Sequence, residues 1–193
     1  MIGNDIVDLK LASIESNWRR KGYLDKVFTK TEQDLILNSN DSFKMVWLLW
    51  SMKESAYKVY VQQFEKRFFS PKKIECTLMS NTTGTVKFYD HQYCTESIIN
   101  NNYIATTTTI NYDDPVLVDN FHLKKSTYKF QHKNCYINLK KVISNKMNYS
   151  LNEMDIKKNS VGIPRLFFKD KEQKINFTIS HHGNYGGYAI LNC

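Results

Sequence analysis

The sequence predicts an α+β fold. Two long segments, residues 43–64 and 128–147, read as helices. Short runs rich in β-branched and aromatic residues, such as Ile74–Leu78 and Tyr103–Ile110, read as strands. These elements fall into two unequal blocks on either side of Asp113-Asp114-Pro115, a turn signal. At 193 residues the chain is one domain or two small pseudo-repeated halves, and 41% hydrophobic residues suffice for a core. Only 7 glycines and 3 prolines exclude a disordered or fibrous chain.

Ile2–Leu9 opens the fold as a strand, with Asp5, Val7 and Leu9 on one face and Asn4, Ile6 and Asp8 on the other. Thr29 and Glu32 stand at capping-box spacing, which starts a helix near Lys30. After the 38–42 turn, a helix over 43–64 would place Phe43, Val46, Trp47, Trp50, Tyr57, Val61 and Phe64 on one face. Glu54 falls near the centre of that face and Lys58 one turn on, at its edge. Ser70-Pro71 ends the region. Thr85–Tyr89 reads as a further strand. Leu166–Lys169, Lys174–Ile179 and Tyr188–Leu191 read as strands of the second block, with a basic helix over 128–147 before them.

The net charge of +8 points to an anionic partner: nucleic acid, an acidic protein, a phosphorylated ligand or a membrane surface. The charge is concentrated. Between Asn120 and Asn152 there are seven lysines and no Asp or Glu, and Arg19, Arg20, Lys21, Lys26 and Lys30 form a second cluster. Solvated helix faces account for such clusters equally well. No RNP aromatic pattern, zinc finger or KH-type loop supports a nucleic-acid partner. No apolar run is long enough to span a bilayer, and the opening residues lack the regions of a signal peptide. Cys76, Cys94, Cys135 and Cys193 are widely spaced, form no CxxC, and are expected to be reduced thiols in a cytoplasm.

Three features could carry chemistry. They are Asp5 in its strand, Glu54 with Lys58 at i,i+4, and Ser180-His181 at the mouth of a glycine-rich loop. A carboxylate within an apolar stripe is costly unless a metal ion or a buried lysine neutralises it. Two carboxylates and a lysine suit a magnesium-bound polyphosphate, and Ser, His and backbone N–H groups in a glycine-rich turn can grip further phosphate oxygens. Each has a plainer reading: a capping or ion-paired aspartate, an ordinary helical ion pair, and a turn histidine satisfied by backbone. There is no P-loop, GxGxxG, HExxH or G-x-S-x-G.

Taken in order, these segments resemble the 4′-phosphopantetheinyl transferase superfamily. Gly3-Asn4-Asp5-Ile6-Val7 resembles its G-x-D-[IV] strand, and Trp50–Lys58 its W-x-x-K-E-[AS]-x-x-K helix. Gly162-Ile163-Pro164 resembles its G-K-P turn, and Phe177–His181 its F-x-[LI]-S-H strand end. Residues 23–32 also resemble the stretch after the aspartate strand in holo-acyl-carrier-protein synthases. The motif order is that of the short, trimeric synthases, whereas the length is nearer the two-lobed type. The resemblance therefore implies the 4′-phosphopantetheinyl transferase fold as a pseudo-dimeric monomer: two pseudo-symmetric α+β halves with the active site in the cleft between them. Residues 1–112 would be the metal-binding half and 113–193 the coenzyme A-binding half.

The implied reaction is Mg²⁺- or Mn²⁺-dependent transfer of 4′-phosphopantetheine from coenzyme A to a serine of an acidic acyl or peptidyl carrier protein. Such a carrier would belong to fatty-acid, polyketide or peptide synthesis. By this resemblance Asp5 and Glu54 hold the metal, and Glu54, directly or through water, helps remove the serine proton. Lys58 stabilises charge on the leaving phosphate. Ser180 and His181 contact the coenzyme A phosphates, while Gly162 and Pro164 shape the adenine side. Val7 stands where two-lobed members usually carry a second acidic residue, and Ile163 replaces the lysine of G-K-P, with Arg165 as its candidate substitute. These departures keep a second reading in play, a degenerate paralogue that binds coenzyme A or a carrier without turnover. The Arg19–Lys30 cluster is the first candidate for carrier docking.

Overall fold

The computed structural model describes residues 1–68 and 70–191, so the expectation for Cys193 lies outside the described residues. The first strand, β1 (Ile2–Asp8), runs directly into α1 (Leu9–Glu15), because Asp8 ends the strand and caps the helix, its Oδ1 accepting from Leu11 N at 3.1 Å. The short α2 (Tyr23–Val27) follows, then α3 (Lys30–Asn38). Thr29 and Glu32 form the capping box in both directions, with bonds of 2.8 and 3.3 Å. The long helix α4 (Ser42–Phe64) leads through a 3₁₀ turn (Pro71–Lys73) to β2 (Ile74–Leu78), β3 (Thr83–Phe88), β4 (His91–Ile99) and β5 (Tyr103–Thr109). These strands and β1 form one antiparallel sheet in the order β1-β5-β4-β3-β2.

Helix α4 packs against this sheet at very close range. A Cβ on Gly3 would fall 1.9 Å from the Ser55 carbonyl oxygen, so only glycine admits the helix there. Thr108 Oγ1 donates to Ser55 Oγ at 2.7 Å across the same contact.

After the 110–115 connection come β6 (Val116–His122), α5 (Tyr128–Met147), β7 (Met154–Lys158), β8 (Pro164–Phe168), β9 (Lys171–Gln173), β10 (Asn176–His182) and β11 (Tyr185–Leu191). They make two three-stranded antiparallel sheets, β10-β11-β6 and β7-β8-β9. Helix α5 packs Cys135, Leu139 and Ile143, all at 0% exposure, on β10 and β11. Each block thus carries its own long helix on its own sheet. The blocks meet where β1 and β10, edge strands of different sheets, lie side by side without a shared ladder.

The buried stripe of α4 differs from the expected one. Leu49, Met52, Ala56 and Val59 are at most 1% exposed, whereas Phe43, Trp50, Tyr57 and Phe64 are only partly buried. The expected face is only in part the core face: Val46, Trp47 and Val61 are buried, while Phe43, Trp50 and Tyr57 pack at the rim of the core. Much of it lines clefts, and Glu54 goes with it.

The true core stripe contains a charge, Lys53, at 0% exposure. Its Nζ lies 2.8 Å from both oxygens of Glu32 and 2.9 Å from Pro71 O, and it also donates to Ile74 O. Glu32 further accepts from Thr29 N and Cys76 N, each at 2.8 Å. One buried ion pair therefore joins α3, α4, the 3₁₀ turn and β2. The buried lysine that a carboxylate in this helix could have called for belongs to Glu32, not to Glu54. Lys53→Met should destabilise the fold by about 3–5 kcal/mol, because it strands a buried carboxylate. Adding Glu32→Gln should recover part of that loss. Urea unfolding of both variants is the check, and a loss below about 1 kcal/mol for Lys53→Met would show the pair to be incidental.

Candidate active site

Consecutive residues of α4 point about 100° apart. With Lys53 fixed inward, Glu54 turns towards β1, where Asp5 meets it. Both carboxylates line a pocket of about 360 Å³ with Trp47, Trp50, Glu15, His181 and His182 among its walls. Burial raises the Asp5 carboxyl above its ordinary value, and Lys58 pulls against that rise. Glu54 is pushed up to about 7, first by burial and then by the charge of Asp5, with Lys58 again opposing. Two carboxylates that each raise the other's cost of ionisation form a site for a proton or a cation. Among the described residues no group of three or more His, Cys, Asp or Glu is arranged to hold a metal. The pair therefore suits a hard cation that takes its remaining oxygens from water or a ligand.

Lys58 lies one turn beyond Glu54, yet among the described residues it makes no ion pair with it. Its Nζ donates to Asn4 O at 2.5 Å and Ile179 O at 3.4 Å, spanning the seam between β1 and β10. Beyond Lys58 opens a second cleft of about 410 Å³, between the C-terminal part of α4 and the 158–164 segment with α5. Its charged lining is cationic: Lys58, Arg67 and Lys158, joined by His132 and His181. Tyr128, His132 and Tyr136 stack along one side of α5 with centroids 5.8 and 4.3 Å apart. Cations and exposed ring faces together suit a phosphorylated aromatic ligand.

His181 lines both pockets and is the hinge of the site. Its pKa is lowered to about 4, by burial first and then by His132, Lys58 and Lys158. It is therefore a neutral hydrogen-bonding group at pH 7.

The structure brings Asp5, Glu54, Lys58, His181, Gly162 and Pro164 to the walls of these two adjoining pockets. Gly162, at φ +80°, sits against the Arg67 guanidinium, whose Nε donates to Val161 O at 2.6 Å. Ser180 is 5% exposed, and its Oγ accepts from Asn4 Nδ2 at 2.9 Å, so it ties the seam from behind rather than facing either pocket. Arg165 is not at the cleft wall. Its guanidinium pairs with Glu65 at 3.3 Å and Glu172 at 3.8 Å. The cations that do reach the cleft beside the 162–164 turn, Arg67 and Lys158, were missed. Nothing in their local sequence marks them, since Arg67 follows the helix end and Lys158 ends a strand. His182 was passed over beside His181.

Residues 1–108, more than half of the chain, match the family model described as the 4′-phosphopantetheinyl transferase superfamily. The chain belongs to that superfamily. The matched stretch holds Asp5, Glu54 and Lys58, while Gly162, Ser180 and His181 lie beyond it. Two solved structures are similar over part of their length. An apo-ACPS structure of Chronobacterium ammoiniagenes has 14% identity and a TM-score of 0.47, covering 56% of this chain and 93% of that one. The holo-[acyl-carrier-protein] synthase (AcpS) of Thermotoga maritima has 10% identity and a TM-score of 0.44, covering 89% and 83%. No curated protein matches the chain.

The raised Glu54 value carries a signed consequence. The native state holds this proton up to about pH 7, whereas a free glutamate loses it near 4.5. The proton's contribution to stability is complete below pH 4.5 and lost as pH rises to about 7. In the metal-free protein, Glu54→Gln should raise stability at pH 8 by about 1 kcal/mol and leave it nearly unchanged at pH 4. Unfolding midpoints at the two pH values decide it, and equal shifts at both would contradict the assignment.

Proposed function

We propose that the protein transfers the 4′-phosphopantetheine group of coenzyme A to a serine of an acyl or peptidyl carrier protein, releasing 3′,5′-ADP. This is holo-acyl-carrier-protein synthase chemistry. The observation that carries the reading is the junction at His181 of a two-carboxylate pocket with a cation-lined, aromatic cleft.

Coenzyme A would lie across both pockets. The rings of Tyr128, His132 and Tyr136 offer its adenine a stacking wall, and Arg67 and Lys158 offer its phosphates positive charge. The pyrophosphate would pass His181 and Lys58 to reach Asp5 and Glu54. A Mg²⁺ or Mn²⁺ ion held by the two carboxylates would supply charge withdrawal from the phosphoryl oxygens. The serine oxygen bonds to the pantetheine-bearing phosphorus as the bridging P–O bond breaks, and the electron pair leaves on the 5′-phosphate of 3′,5′-ADP. Glu54, directly or through a water, takes the serine proton as the new bond forms. Two donors of the Lys58 ammonium are spent on carbonyl groups, which fixes it beside the leaving phosphate with one donor left.

In this reading residues 1–112 supply the metal site and 113–193 most of the coenzyme A cleft, within one two-lobed monomer. The carrier approaches from the α1–α2 side. Arg19, Arg20, Lys21, Lys26 and Lys30 are exposed there. A shallow pocket lined by Ile14, Trp18, Arg19 and Phe43 shares Ser16 with the carboxylate pocket. An acidic carrier docked on that surface would have its serine close to Glu54. On this reading the activity is a cytoplasmic one.

The test is the intact mass of an apo carrier protein after incubation with the protein, coenzyme A and MgCl₂. The carrier should gain one phosphopantetheine, and the gain should vanish with EDTA or Glu54→Ala. Lys58→Ala should slow transfer about 100-fold. Arg19→Glu with Arg20→Glu should raise KM for the carrier about tenfold and leave KM for coenzyme A unchanged. Coenzyme A binding with no transfer to several acidic carriers would favour the non-catalytic reading, for which the buried Ile163 in place of a lysine is the supporting feature. Absence of both coenzyme A binding and transfer would refute the proposal.

A further inference from the structure

His182 stands one residue beyond the junction histidine, and its hydrogen bonding defines what it can do. The Asp8 backbone N–H donates to its Nδ1 at 2.9 Å. A backbone amide can only donate, so Nδ1 carries the lone pair and Nε2 carries the proton. The ring is therefore held in one tautomer. It presents an N–H to its surroundings and cannot ligate a cation through Nε2.

His182 is a wall residue of the Asp5–Glu54 pocket. The nearest recorded acidic partner of Nε2, Glu15, is 3.8 Å away and 60% exposed, too far for a hydrogen bond. The support behind the ring is rigid. Asp8 is 3% exposed, and its carboxylate accepts from Leu11 N at 3.1 Å and Asn184 N at 2.9 Å, pinning the turn after His182 to the end of β1. Trp47 is 6% exposed and also lines the pocket, with its indole Nε1 buried away from the accessible surface. An N–H fixed in orientation beside a carboxylate pair suits an anionic oxygen that enters with a ligand.

We propose that His182 donates its Nε2–H to a non-bridging oxygen of the phosphoryl group being transferred. The assignment rests on the transferase reading above and adds a catalytic group to it. Fixed donors aimed at oxygens that gain charge in the transition state act on kcat more than on ground-state binding. His182 would therefore divide labour with His181: the latter borders both pockets, and the former serves only the reacting end.

The experiment compares wild type, His182→Ala and His182→Gln with coenzyme A, MgCl₂ and an apo carrier. 3′,5′-ADP affinity is measured in parallel by calorimetry, because that product lacks the transferred phosphoryl group. His182→Ala should lower kcat about 10- to 100-fold, with KM for coenzyme A and 3′,5′-ADP affinity within about twofold of wild type. His182→Gln, which keeps an N–H near the Nε2 position, should recover most of the rate. Unchanged kcat in His182→Ala would overturn the proposal. So would equal loss in both variants together with lost 3′,5′-ADP binding, since that pattern marks a structural role. Absence of transfer by wild type would instead overturn the functional reading on which the proposal stands.

Discussion

The structure turns on a seam. Strands β1 and β10 run in the same direction, Asn4 beside Ser180 and Asp8 beside His182, but they belong to different sheets. Buried backbone groups along such an edge need partners. Side chains provide them: Lys58 bridges the carbonyls of Asn4 and Ile179, His182 accepts from the Asp8 amide, and Asn4 reaches Ser180. Two of the side chains that close the seam, Lys58 and His182, also line the pockets, whereas Asn4 and Ser180 lie behind them. Lys58 and His182 thus both join the halves and present polar groups to a ligand.

A second constraint sets the rotation of α4. The Glu32–Lys53 pair is fully enclosed and its oxygens and ammonium are saturated by backbone groups from the 3₁₀ turn and β2. A pair of this kind contributes little net stability against an apolar alternative, but it is expensive to break and it fixes register. Because Lys53 is locked inward, Glu54 has one direction left, towards Asp5. The cost of bringing two carboxylates together is thereby charged to the fold, and a cation or a proton relieves it.

Much of this was legible in the sequence where the signal is local. The capping box at Thr29 and Glu32 gave the start of α3, β-branched runs gave β2 and β5, and motif spacing singled out Asp5, Glu54, Lys58 and His181. Other elements carry no such signal. Strand β4 buries Tyr93, Thr95 and Ser97, a face with hydroxyls where alternation looks for apolar side chains. Helix α1 is short and is started by an aspartate that also ends a strand. The phase of α4 was misread because Lys53 interrupts its true apolar stripe. Its partner lies in another helix, and no periodicity within α4 reveals that. Arg67 and Lys158 reach the cleft only through the packing of the two halves, while Arg165, the nearer cation in sequence, is drawn away by Glu65 and Glu172.

The central claim is that one ligand bridges both pockets across the seam. A crystal structure of the protein with coenzyme A and MgCl₂ tests it most directly. The account predicts the adenine against Tyr128, His132 and Tyr136, the pyrophosphate beside Lys58 and His181, and a cation between Asp5 and Glu54. Coenzyme A bound away from the 410 Å³ cleft, or bound there with its pyrophosphate turned from the two carboxylates, would contradict it.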